Sequence, residues 1–375
     1  MKRIGIDARV IERRMSGIGR YLLGLLEHLL KIDKKNQYFL FCYKDLPKFK
    51  KIGYNIIATG KTLPLPQKIY NLYWLNFILP SLLKKYKIDI FFSPNPYLPY
   101  GKIPSRAVFT IHDLAHKIEK KYKDFIYRIF YLNFLSERSA RRADLILTVS
   151  ENSKKDILKY YANLVSKDKV KVIYPAADEK FKVRELTIEQ IKNLREKYNL
   201  PERFVLYVGR IETRKNIIGI LKIGDFLKKK GEDIKIVLVG EGGYSGYEKL
   251  KREIEKRNNV YHLENVNEKD LPYIYNLSKI FLFPSFYEGF GLPVLEAMQS
   301  GVPVLASNTS SLKEVVGDGG IMHNPTDYEA FAKDIIRLLK DNKFYEKIRK
   351  KGISQAKKFS WEKSTKELVK IFNEL

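Results

Sequence analysis

The chain has 375 residues, of which 45% are hydrophobic and 30% charged, a size and balance that suit two globular domains and exclude a disordered protein. Its formal net charge of +27 attracts polyanions: anionic lipid, nucleic acid or phosphorylated substrates. The one cysteine, Cys42, excludes an internal disulfide framework, and no uncharged apolar run is long enough to span a bilayer. With an opening, MKRIGIDARV, that lacks an apolar signal region, these features lead us to expect a reducing, cytoplasmic setting.

The first predicted strand is RIGID. A polar loop follows, and then a helix whose start is marked by Ser16, Gly17 and Gly19, where glycines let backbone N–H groups face an anion. YFLFCY, IDIFFS, AVFTI and DLILTV are the next predicted strands. Between the first two of these, residues 63 to 87 carry an uncharged stretch from Ile69 to Leu83, rich in Tyr73, Trp74, Leu75, Phe77, Ile78 and Leu79 and flanked by Lys68, Lys84, Lys85 and Lys87. Pro80 would interrupt a helix there, and the stretch reads equally as a core helix or as an element seated on an anionic membrane surface. His112 and Asp113 follow AVFTI at its carboxyl end, where a histidine can donate to a substrate hydroxyl or merely cap a loop. Residues 1 to 180 hold 35 Lys and Arg against 16 Asp and Glu, whereas the rest hold 35 against 27, so the positive excess is concentrated in the first half.

IYPAADEKFKVRELTIEQ, residues 173 to 190, has few core-type residues and is predicted to link two domains. FVLYVG, IKIVLVG, KIFLFPS and VPVLA are the predicted strands beyond it, and their alternation with amphipathic helices indicates doubly wound parallel sheets. After FVLYV comes GRIETRKN, placing Arg210 and Lys215 one loop apart, a spacing at which two cations can clamp a diphosphate. The phosphate-loop pattern G-x-x-x-x-G-K-[ST] is absent. Glu241, in LVGEGGY, is a cleft residue or a solvated loop acid.

PSFYEGFGLPVLEAMQSGVP, residues 284 to 303, is the most informative stretch. Glu288 falls in the loop past a strand end, and Glu296 falls in the helix that follows. Gly289, Gly291 and Pro293 between them form a loop whose backbone can approach a ligand closely. Both acids could instead be helix-dipole charges, but Glu296 lies among Val294, Leu295, Ala297 and Met298, where an unpartnered carboxylate would be costly, which favours a ligand role.

P-S-x-x-E-G-F-G-L-P-x-L-E-A-M with this E-x7-E pair resembles the signature of the retaining, nucleotide-sugar-dependent glycosyltransferases of the GT-B fold, usually called family 4. The resemblance implies an α/β protein of two Rossmann-like domains facing a central cleft. Their expected bounds are 1–178 on the acceptor side and 179–359 on the donor side, with a final helix, about 360–375, crossing back. It implies that Glu288 contacts the donor sugar and Glu296 the ribose. Gly289, Phe290, Gly291 and Leu292 would line the donor, and Arg210 and Lys215 would neutralise its diphosphate. Gly17, with Arg20, would lie near donor phosphate and acceptor, His112 would lie in the active cleft, and Val266 would cover the base; Asn265 departs from the residues often seen there. Catalytic roles thus fall to His112, Arg210, Lys215 and Glu288.

No D-x-D occurs to hold a divalent ion, so a metal-independent site with no cofactor beyond the nucleotide-sugar substrate is expected. GFGLPVLEAM followed by SNTSSLKEVVGDGG most resembles bacterial mannosyltransferase-like members. The leading expectation is therefore mannose transfer from GDP-mannose to a lipid-linked or saccharide acceptor in envelope or exopolysaccharide synthesis, peripheral to the membrane. A soluble sugar or glucan acceptor with a UDP- or ADP-sugar is the alternative. A basic nucleic-acid-binding protein is the alternative of another class, disfavoured because no nucleic-acid motif appears.

Overall fold

The computed structural model describes residues 1–12, 16–118, 126–242 and 246–375, with the side chains of Lys68 and of residues 126–133 outside the description. The chain divides into two compact units, Met1–Ala176 with Ser360–Leu375, and Ala177–Phe359.

The first unit is built on seven parallel strands in the order β3-β2-β1-β4-β5-β6-β7: β1 (Arg3–Asp7), β2 (Gln37–Cys42), β3 (Asn55–Ala58), β4 (Ile90–Ser93), β5 (Arg106–Ile111), β6 (Leu145–Thr148) and β7 (Val170–Val172). The central strands are buried on both faces, which explains why they read as continuous apolar runs rather than as alternating ones. The strand order reverses between β1 and β4, and a ligand crevice opens at such a reversal, outside the carboxyl ends.

The aromatic stretch after β3 forms a helix (Gln67–Tyr73), a π turn (Trp74–Ile78) and a second helix (Leu79–Lys85). Pro80 follows the π turn directly within one continuous run of helical residues, a place where a locally altered helix can accommodate the N–H that proline lacks. Tyr70, Trp74, Leu75, Leu79 and Leu83 are buried in the core, while Phe77 is 66% and Ile69 52% exposed. The core reading holds for one face of this element, and the other face leaves large apolar side chains in solvent.

The C-terminal helix (Trp361–Glu374) packs in this unit against the helix Gly17–Ile32. A Cβ on Gly24 would fall 2.2 Å from the Trp361 indole, so the close contact requires glycine there. Ser364 Oγ donates to the Tyr174 carbonyl at 2.5 Å, and Phe372 lies among Tyr38 and Phe92.

The second unit has six parallel strands in the order β10-β9-β8-β11-β12-β13: β8 (Phe204–Val208), β9 (Lys235–Val239), β10 (Val260–Leu263), β11 (Ile280–Phe283), β12 (Val304–Ser307) and β13 (Ile321–His323). Its reversal lies between β8 and β11, so the loops that carry GRIETRKN and PSFYEGFG leave adjacent strands at the place where ligands bind in such sheets. The linker stretch is not wholly core-poor. Phe181 is 1% exposed, its ring edge-on to Tyr275 at 5.4 Å, so the segment is fastened to the second unit by an aromatic that its polar neighbours conceal.

Candidate active site

In the second unit, the loop after β8 turns through a short 3-10 segment (Thr213–Lys215) into the helix Ile217–Lys229. Asn216 makes that turn with φ of 57°, a left-handed conformation that asparagine tolerates better than most side chains. Its buried carboxamide donates to the carbonyls of Pro284 and Pro325 at 3.0 and 2.7 Å and accepts from the Gly219 N–H at 3.1 Å. One side chain therefore fixes the loops after β8, β11 and β13 to one another.

Lys215 is held directly beside that anchor. Its Nζ lies 2.5 and 2.7 Å from the two carboxylate oxygens of Glu288, which is 6% exposed. Arg214 adds a second cation, 3.4 Å from Glu288 Oε2, while donating to Glu212 Oε1 at 2.7 Å and to the Tyr287 carbonyl at 2.6 Å. Burial alone would raise the Glu288 carboxyl, but Lys215 and then Arg214 outweigh it and hold the group below the usual carboxylate range. Burial lowers the Lys215 ammonium, with Glu288 opposing that shift. Arg210, exposed on the same loop, has its carbonyl held by the Tyr207 hydroxyl at 2.9 Å.

The loop after β11 is shaped by the loop after β12. Ser310 Oγ accepts from the Glu288 N–H at 2.9 Å, and Ser311 Oγ bridges the carbonyls of Glu288 and Phe290, each at 2.9 Å. Gly291, with φ of 112°, ends the loop at the start of the helix Leu292–Gln299, a conformation that favours glycine. Gly289 and Phe290 are buried, the Phe290 ring edge-on to Phe359, and Leu292 is half-buried.

Glu296 is buried on that helix as the sequence pattern suggests, but it has a protein partner: Tyr275 donates its hydroxyl to Oε2 at 2.9 Å. The premise that a buried Glu296 would be unpartnered is thereby corrected, since Tyr275, 21 positions away, supplies the hydrogen bond. Val266 is half-buried just past β10, Asn265 is exposed, and Glu241 is half-buried, its carbonyl accepting from the Ile211 N–H at 2.9 Å.

In the first unit, Ser16 caps the helix Gly17–Ile32, its Oγ accepting from the Gly19 N–H at 3.2 Å. Gly17 is exposed, and a Cβ there would meet nothing within 4 Å, so packing does not explain the glycine. Arg20 is half-buried. His112 Nε2 lies 2.9 Å from the Pro94 carbonyl, which can only accept, so Nε2 carries the proton. Burial lowers the ring's pKa, and in the neutral ring Nδ1 is an acceptor: His112 would accept from a substrate hydroxyl there rather than donate to it. Tyr21 packs edge-on to the same ring at 5.1 Å, and Asp113 Oδ1 turns back to accept from the Ala115 N–H.

Sequence reasoning missed three further features. Glu212 and Arg214 lie within GRIETRKN, and Ser310 within SNTSSLKEVVGDGG, but none of these residues was given a role. The third is a buried pair at the end of β1: Arg9 donates to both carboxylate oxygens of Asp7 at 2.8 and 2.7 Å and stacks over Trp74 at 4.0 Å. Opposite charges two positions apart at a strand's carboxyl end were its available signal. Among the described residues, no group of three or more His, Cys, Asp or Glu side chains could hold a metal ion, and no helix is long and apolar enough to cross a membrane.

Comparison with known proteins follows the division into units. The sequence pattern of the glycosyl transferases group 1 matches residues 190–355, and that of glycosyltransferase family 4 matches residues 15–181. The chain is 32% identical to O-antigen chain mannosyltransferase B of Escherichia coli, over 96% of this chain and 97% of that protein. It is 27% identical to O-antigen chain mannosyltransferase RfbU of Salmonella typhimurium, over 85% and 86%. Among solved structures it resembles a sucrose-phosphate synthase from Thermosynechococcus elongatus, with a TM-score of 0.75 at 17% identity over 100% of this chain and 99% of that one. It also resembles WaaG, a glycosyltransferase involved in lipopolysaccharide biosynthesis, with a TM-score of 0.72 at 14% identity over 98% and 99%.

Proposed function

The chain belongs to the group 1, family 4 glycosyltransferases of GT-B fold, and on that premise we propose that it moves mannose from GDP-mannose to a lipid-linked or saccharide acceptor in O-antigen-type lipopolysaccharide synthesis. The observation that carries the choice of sugar is the 32% identity, over nearly the full length of both chains, to an O-antigen chain mannosyltransferase. The Lys215–Glu288 pairing at the β8/β11 reversal supports the donor chemistry.

In this reading Arg210 and Lys215 bind the donor diphosphate, Glu288 contacts the transferred sugar and Glu296 the ribose. The backbone of Gly289, Phe290, Gly291 and Leu292 lines the donor, Val266 lies against the base, and Gly17 leaves room for phosphate or acceptor. His112 accepts a hydrogen bond at Nδ1 from a substrate hydroxyl. Transfer proceeds on one face of the sugar with retained configuration. The bond from C1 to the diphosphate oxygen breaks, the acceptor oxygen bonds to C1, and the acceptor's proton passes to the departing diphosphate. Arg210 and Lys215 stabilise the charge that develops there, the task a divalent ion performs in other sites. Glu288 is assigned as a contact to the sugar's hydroxyls, the role that the family resemblance carries to it, and not as a nucleophile.

The same reading seats the protein on an anionic leaflet. Ile69, Leu72 and Phe77 are exposed on the aromatic element, and Lys84, Lys85 and Lys87 are exposed at its end, a composition that suits the headgroup boundary.

A donor-hydrolysis screen across GDP-, UDP- and ADP-sugars tests the proposal. GDP-mannose should be cleaved fastest, and EDTA should change the rate little. Preference for a UDP- or ADP-sugar would move the chain to another donor, and strict dependence on Mg2+ or Mn2+ would end the metal-independent reading.

A further inference from the structure

Four charged side chains, Glu212, Arg214, Lys215 and Glu288, form one cluster beside the β8/β11 reversal, each side chain between 7 and 14% exposed. Arg214 fastens its two loops together. Its guanidinium reaches Glu212 and the Tyr287 carbonyl, and its own carbonyl accepts from the Phe286 N–H at 3.0 Å. Glu288 itself faces Lys215, Arg214 and Glu212 from the loop after β8, Tyr207 from β8, Ser285 from its own loop and Ser310 from the loop after β12.

A donor diphosphate entering beside this cluster brings negative charge, and Lys215, a compact point charge on a flexible stem, is the cation able to turn toward it. Turning would take away the closest counter-ion of a buried carboxylate, which is strongly unfavourable unless another takes its place. Arg214 Nη1 is already 3.4 Å from Glu288 Oε2, and closing by about half an ångström would make a charge-assisted hydrogen bond. We propose that Arg214 is a positioning residue that takes over the Glu288 carboxylate when Lys215 turns to the donor diphosphate, keeping Glu288 in place against the sugar. This rests on the assignment of Lys215 to the diphosphate. Glu212 is the second anchor, holding the other end of the guanidinium fork so that Arg214 does not follow Lys215 toward the phosphates.

The test compares the parent, Arg214→Gln and Arg214→Lys by GDP binding and by GDP-mannose hydrolysis from about pH 4.5 to 9. Arg214→Gln should bind GDP within about threefold of the parent but lose about tenfold to a hundredfold in kcat. Its acid limb should move to higher pH, because one cation fewer opposes protonation of Glu288, and Arg214→Lys should restore most of both. An Arg214→Gln variant that keeps the parent's acid limb would overturn the proposal even if its melting midpoint falls, since a merely structural tie lowers stability without moving that limb. A loss confined to GDP affinity would overturn it as well. A parent that neither binds GDP nor cleaves GDP-mannose would instead overturn the underlying donor assignment, and the proposal with it.

Discussion

The Lys215 ammonium grips both carboxylate oxygens of Glu288, at 2.5 and 2.7 Å, although the two residues are 73 positions apart in sequence. Two loops from adjacent strands meet in that contact. It links the cation expected to bear the diphosphate to the acid expected to bear the sugar.

Lys215→Ala should reduce turnover by orders of magnitude, because a contact to the departing diphosphate strengthens as charge develops. The Glu288 carboxyl is held below its ordinary pKa, so its ionisation stabilises the fold above the unfolded carboxylate pKa and that contribution is lost as pH falls through the folded value. Melting midpoints followed from neutral pH downward should therefore fall more steeply in the parent than in Glu288→Gln. Parallel curves would contradict the ion-pair assignment.

Glu296→Ala should weaken binding of free GDP, whereas Glu288→Ala should largely spare it, with both variants losing transfer. Calorimetric affinities that match the parent's in both variants would remove Glu296 from the ribose. Tyr275→Phe takes the hydroxyl from Glu296 and should cost about 1–3 kcal/mol of stability in denaturant melts.

Gly24→Ala should destabilise the first unit by about 1–3 kcal/mol, because the added methyl enters the Trp361 indole. Trp361→Ala should cost about 3–5 kcal/mol, and the double variant should be more stable than the sum of the two losses predicts. Additive losses would mean that the two residues are not in contact.

Much of the fold was legible because each central strand is buried on both faces and reads as an apolar run ended by glycine, proline or a polar residue. β3, β7, β10 and β13 were missed: they are edge strands of three or four residues, partly exposed, and leave no such run. At the candidate site, the loop positions of Lys215 and Glu288 and the buried helical position of Glu296 were legible, because each follows from a local pattern of strand end, loop and helix start. Arg214, Ser310 and Tyr275 were not, because each acquires its meaning from a partner on another strand's loop or helix, a relation set by sheet order rather than by local pattern.

The parent should co-sediment with phosphatidylglycerol vesicles at low salt and release at high salt, as expected for surface-seated aromatics among lysines. Changing Lys84, Lys85 and Lys87 to Glu should weaken that binding and leave hydrolysis of free donor intact. A parent that ignores anionic vesicles at low ionic strength would reduce the element's role to its buried face.

Transfer itself is the most direct test: the enzyme is given GDP-α-mannose and a lipid-linked, mannose-terminated oligosaccharide, and the anomeric proton of the product is read by NMR. An added α-linked mannose, lost in Lys215→Ala, is the predicted result. A β-linked mannose, or extension of the acceptor from a UDP- or ADP-sugar but not from GDP-mannose, would contradict the account.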